Sequence, residues 1–237
     1  MREPGKVPGR YWEQQGMHGT RCGQGVADMT HLPYDGGVPY GTGRQPGARA
    51  PRAARARTAA GVMLVWVALL WALEAIDSAT GALDTFGLSP RSLPELRDVL
   101  PMSFLHHGFA HVASNTIPLL VLGFIAALSG IRRFASVVLT VMLVGGLGVW
   151  LTAPAYSNTA GASGVVFGLF GYLVVRGFVD RRPWDVVIGL VVAVVYGSIL
   201  WGVLPTNEAI SWQGHLFGLV GGVLAAFWFR RGRPTAV

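Results

Sequence analysis

A serine, an asparagine and four histidines stand at the starts of apolar stretches in this chain, where polar side chains are costly and mark candidate sites. Ser163 lies in Gly161-Ala162-Ser163-Gly164, and His215 closes Trp212-Gln213-Gly214-His215. His106, His107, His111 and Asn115 fall within residues 104–115. A serine hydroxyl becomes a nucleophile at neutral pH only with a base beside it, and histidine is the usual one. Amide hydrolysis also needs donors aimed at the developing oxyanion, which an Asn amide, a His N–H or a backbone N–H at a helix start supplies. His111 and Asn115, spaced i and i+4, share one helical face. His106, five residues earlier, is turned about 140° away on a helix and fits a structural or water-organising role. No acid lies in the stretches that carry Ser163 and His215, so a Ser-His dyad describes them better than a triad. Cys22 is the only cysteine, which excludes a disulfide framework and a cysteine-based zinc site. No metal or cofactor is expected.

Positioning these groups falls to six apolar stretches, at about 59–76, 105–128, 134–154, 163–179, 185–204 and 212–229. Of the 237 residues 51% are hydrophobic and 13% charged, about half the charge of an ordinary soluble domain. Mean hydropathy is +0.45. In lipid the backbone must satisfy itself within each segment, so the stretches are expected to be helices. The fold class is an all-α membrane protein with six transmembrane helices. Measured back from the basic residues at their far ends, Ser163, His215 and Asn115 sit about 20 to 25 Å along the fourth, sixth and second stretches. All three stretches run in one direction, so the three side chains come to one depth.

Charge fixes the expected orientation. Arg55 and Arg57, Arg132 and Arg133, Arg176, Arg181 and Arg182, and Arg230, Arg231 and Arg233 all fall on one side of a six-pass chain. The loop 77–104 on the other side is net acidic. Both termini are then cytoplasmic and the site lies towards the outer face of the plasma membrane. Residues 1–58, rich in Gly, Pro and Arg, read as a disordered cytoplasmic tail, 59–231 as the membrane domain and 232–237 as a short C-terminal tail. The net charge of +7 comes from this tail and from the stretch ends, not from a basic stripe interleaved with aromatics, which argues against nucleic acid as a partner.

Each feature has a plainer explanation. Ser163 alone could be a helix N-cap, His215 a packed histidine, and Asn115 interhelical glue. Their order on three co-directed stretches favours the joint reading. Gly164, Gly168 and Gly171, with Gly214, Gly218, Gly221 and Gly222, read as small-residue faces that draw two helices, and so Ser163 and His215, together. Pro118 reads as a tolerated kink, and Trp150, Tyr156, Trp201 and Trp212 as interfacial anchors.

In order, His106-x4-His111-x3-Asn115, Gly161-Ala162-Ser163-Gly164 and His215-x2-Gly218-x3-Gly222 resemble the three signature motifs of rhomboid proteases. The resemblance covers roughly residues 59–229. It implies a rhomboid-like bundle in which Ser163 is the nucleophile, His215 the general base, and His111 and Asn115 stabilise the oxyanion with the Ser163 amide. It also implies single-span transmembrane protein substrates that enter from the lipid bilayer past the fifth stretch. Phe167 stands where the family often has a tyrosine packed on the catalytic histidine. Leu96-Arg97 stands where the family often has Trp-Arg, a departure that bears on loop docking and not on catalysis. A non-catalytic, client-binding relative of the same fold is the alternative reading. A transporter or proton relay is disfavoured, because the inner halves of the stretches carry no ionisable path.

Overall fold

The structure is a computed structural model and describes residues 51–206 and 210–230. Most of the expected N-terminal tail and all of the C-terminal one lie outside the described residues. Six α-helices occur among the described residues: α1 (Arg52–Thr80), α2 (Phe109–Ala127), α3 (Ile131–Thr152), α4 (Ser163–Asp180), α5 (Pro183–Tyr196) and α6 (Trp212–Trp228). Five are long and apolar enough to cross a membrane, counting α5 with the 3-10 segment that prolongs it to Val203. The sixth, α6, is equally apolar but has 17 residues. Fold and composition define a multi-pass membrane protein.

Three boundaries differ from those expected. Helix α1 starts at Arg52 and not near residue 59, because the Arg/Ala run 52–57 is made of strong helix formers although it lacks an apolar face. The second stretch becomes helical only at Phe109, after Gly108 with φ 99°, which leaves His106 and His107 in the preceding loop. The fifth stretch loses its α-helical form at Gly197 and continues as a 3-10 segment, Gly197–Val203.

Helix α4 is the buried centre and packs on α2, α3, α5 and α6, most closely on α6. That closeness has a simple cause. A Cβ built on Gly218 would overlap the Gly164 carbonyl, and one on Gly222 would overlap the Gly168 carbonyl, so backbone meets backbone along the seam. In lipid, where dispersion and close approach replace the hydrophobic drive between helices, such a seam is a principal source of association.

At the end of α4 away from Ser163, charges are buried in pairs. The Arg133 and Asp180 side chains approach to 3.2 Å, and Arg176 and Asp185 to 3.0 Å. Arg176 also donates to Ser129 Oγ at 2.7 Å. The Tyr172 ring lies between the two guanidiniums, 5.9 Å from that of Arg133 and 5.6 Å from that of Arg176.

At the other end, the connection between α1 and α2 is pinned to α3. Trp150 Nε1 donates to the Ser92 carbonyl at 2.9 Å and Arg91 Nη1 to the Ala153 carbonyl at 3.0 Å. Leu88 and Thr159 exchange two backbone hydrogen bonds, of 2.9 and 3.1 Å. Leu96 and Arg97 are exposed and take no part in these contacts. The loop therefore docks through Arg91 and Trp150, and Trp150 is a half-buried clamp and not a free interfacial anchor.

Candidate active site

A cavity of about 510 Å³ opens among α2, α4, α6 and the loop before α4. Ser163, His215, His111 and Asn115 all line it, as do Gly164 and His107. Helical spacing accounts for the pair on α2, since His111 and Asn115 are one turn apart. The glycine seam accounts for the approach of α4 to α6.

His215 is held on both sides. Its Nδ1 lies 2.8 Å from the Gly202 carbonyl. A carbonyl only accepts, so Nδ1 carries the proton and Nε2 keeps its lone pair, as a general base requires. The Phe167 ring stacks on the imidazole at 4.1 Å with 7° between planes. The expected packing of Phe167 against His215 is thus present, without the hydroxyl of a tyrosine. A side chain at Gly202 would crowd both rings, because a Cβ there would stand 3.0 Å from His215 Nδ1 and from the Phe167 ring.

His111 takes the opposite tautomer. The His107 backbone N–H points at its Nδ1 over 3.5 Å, which makes Nδ1 the acceptor and leaves the proton on Nε2. That Nε2 lies 3.0 Å from the position a Gly161 Cβ would take, and Ser163 Oγ lies 3.5 Å from the same point. With φ at 143°, Gly161 also has a backbone conformation that disfavours any side chain. The His111 N–H therefore faces the neighbourhood of the serine hydroxyl. Asn115 is buried and donates one amide hydrogen to the His111 carbonyl at 3.0 Å, leaving its second N–H available to the cavity. Ser163 is the first residue of α4, so its own N–H has no partner inside the helix.

His106 does not line the cavity. It is buried, edge-on to His111 with ring centroids 5.0 Å apart, and its Nε2 accepts the Ala162 N–H at 3.3 Å. This bond ties the loop ahead of α2 to the residue just before Ser163. Nδ1 faces the Phe104 carbonyl without reaching hydrogen-bond geometry. Burial first, then the neighbouring His111 and His107, push the His106 pKa down to about 4. The ring is neutral in the folded protein at neutral pH and binds a proton more readily when unfolded. Stability is therefore complete above the ordinary histidine value and is lost as pH falls from about 6.5 towards about 4. We expect the thermal midpoint of detergent-solubilised protein to drop over that window, and to drop less in His106→Asn. The unmutated chain should lose up to roughly 3 kcal/mol from this group.

Sequence reasoning missed one participant, the Gly202 carbonyl. Backbone oxygens carry no residue-type signal, and only the 3-10 turn after Gly197 brings this one to His215. Among the described residues no group of three His, Cys, Asp or Glu side chains has the geometry of a metal centre.

Comparison with known proteins agrees with this architecture. The rhomboid domain matches residues 94–232. An uncharacterised protein of Mycobacterium tuberculosis is 41% identical over 198 residues, covering 80% of this chain and 82% of its own. One from Mycobacterium leprae is 38% identical over 217 residues, covering 88% and 84%. The rhomboid protease GluP of Bacillus subtilis is 32% identical over 152 residues, which is 62% of this chain and 29% of that protein. The chain belongs to the rhomboid family.

Proposed function

We propose that this protein is an intramembrane serine endopeptidase that cleaves single-span membrane proteins in or near their transmembrane segments, with Ser163 and His215 as its dyad. The observation that carries the reading is the single cavity lined by Ser163, His215, His111 and Asn115, with His215 Nδ1 held 2.8 Å from the Gly202 carbonyl so that Nε2 is left free to act as a base. In this mechanism Ser163 Oγ attacks the peptide carbonyl carbon while its proton passes to His215 Nε2. The oxyanion takes hydrogen bonds from His111 Nε2–H, the free Asn115 N–H and the Ser163 amide. His215 returns the proton to the leaving amine, and water then releases the acyl group by the same path in reverse.

The 17-residue α6 completes a six-span bundle with both termini cytoplasmic and the cavity towards the outer face. Residues Leu190, Val191, Val194 and Val195 on α5 are exposed and apolar, a face suited to lipid and to a substrate helix arriving from it.

Removing one oxyanion donor should lower kcat with less change in KM. His111→Ala and Asn115→Ala are each expected to cost about 10²–10³-fold in kcat. The test of the whole reading is cleavage of single-span membrane proteins by the full chain in proteoliposomes, with the cut mapped by mass spectrometry. Cuts at the outer end of the substrate span support it. Cuts confined to soluble extensions would contradict it.

A further inference from the structure

At the end of the bundle remote from Ser163, a second cavity of about 770 Å³ lies between the N-terminal turns of α1 and α5. It is about 20 Å along α4 from the serine. Helix α1 packs on α2 and α5 on α4, and residues of all four helices line the cavity.

The lining is amphipathic in a definite way. Arg52, Arg55, Arg176 and Arg182 supply four guanidiniums against the single carboxylate of Asp185. That carboxylate is engaged by Arg176 at 3.0 Å, so it does not neutralise the other three. Arg52, Arg55 and Arg182 form no ion pair among the described residues. Arg176 is 5% exposed, and its Nε has no hydrogen-bond partner although it is fully buried. Two helix N-termini add to this field, because neither α1 nor α5 has a side-chain cap on its first-turn N–H groups. Beside the arginines the wall turns apolar, through Ile125, Leu128 and Ile188.

We propose that this cavity is a binding site for an anionic phospholipid, its phosphate held by Arg52, Arg55 and Arg182 and its acyl chain lying against Ile125, Leu128 and Ile188. Guanidinium forks match phosphate oxygens two at a time. The apolar flank selects a lipid over a free anion, since inorganic phosphate leaves Ile125, Leu128 and Ile188 uncovered. Bound lipid would also fasten α1 to α5, which pack mainly on α2 and on α4 respectively. The proposal stands on the membrane fold and does not depend on the chemistry at Ser163.

The test uses the full chain in nanodiscs of phosphatidylcholine containing a minor fraction of phosphatidylglycerol, with retained lipid read by native mass spectrometry. Phosphatidylglycerol should be retained in preference to phosphatidylcholine. Arg52→Gln combined with Arg55→Gln should weaken that retention about thirty-fold, since each of the two arginines contributes roughly five-fold in attraction near an anionic headgroup. Arg57→Gln combined with Arg132→Gln removes two charges that do not line the cavity, and should leave it unchanged. Thermal midpoints of both double variants verify that each is folded. Equal retention of the two lipids, or an equal loss in both double variants, would overturn the proposal. So would displacement of the lipid by inorganic phosphate at matched concentration, which would assign the site to a free anion.

Discussion

Ser163→Ala and His215→Ala are each expected to lower the rate of substrate cleavage by roughly 10⁵–10⁶-fold, with the double variant losing no more than either alone. The size follows from what each side chain supplies. Without His215 the hydroxyl of Ser163 keeps its proton and is a poor nucleophile. Without Ser163 the base has no covalent partner to activate. In the proposed dyad the two act as one unit, so removing the second after the first should cost nothing further, which separates a dyad from two independent contributions. His215 is also fixed by Gly202 and Phe167, both of which persist in Ser163→Ala, so that variant should retain its fold and thermal midpoint. Additive losses, or a residual rate in Ser163→Ala near that of the unmutated chain, would mean that another group carries the chemistry.

The second large effect is structural. Gly222→Leu should abolish activity and destabilise the bundle by on the order of 3 kcal/mol or more. The Cβ alone would overlap the Gly168 carbonyl, and a backbone atom in the middle of a helix cannot swing aside as a flexible side chain can. Relief comes only by parting α6 from α4, which moves His215 away from Ser163. Gly218→Leu acts one turn closer to the dyad, against the Gly164 carbonyl, and should behave alike. Gly61→Ala is the control, because its Cβ meets nothing within 4 Å. Unchanged activity and an unchanged thermal midpoint in Gly222→Leu would show that the glycine seam does not set the distance between the two helices.

The parts of this structure that could be read from sequence share a cause. Apolar stretches are long and uniform, so the helices were visible in composition, and polar residues within them are expensive enough to stand out. That logic picked out Ser163, His215, His111 and Asn115, which do line one cavity. Hydropathy was blind where the physics was different. The first turns of α1 are helical through the intrinsic preference of alanine and arginine, with no apolar pattern to betray them. The apolar neighbours of His106 point to a helix there, yet Gly108 delays the helix and frees the ring to reach Ala162. Docking of the first loop depends on Arg91 and Trp150, which are far apart in sequence and meet only in the folded chain. The Gly202 carbonyl that sets the His215 tautomer is a main-chain atom, identical at every position until the fold selects one.

An activated serine is the centre of this account, and a serine-reactive fluorophosphonate probe tests it without any knowledge of the substrate. We expect labelling of the folded, membrane-embedded chain, lost in Ser163→Ala and in His215→Ala. No labelling of the unmutated protein, under conditions where a control serine protease reacts, would contradict the account and favour a non-catalytic role for the fold. Labelling that survives Ser163→Ala would contradict it too, by placing the nucleophile elsewhere.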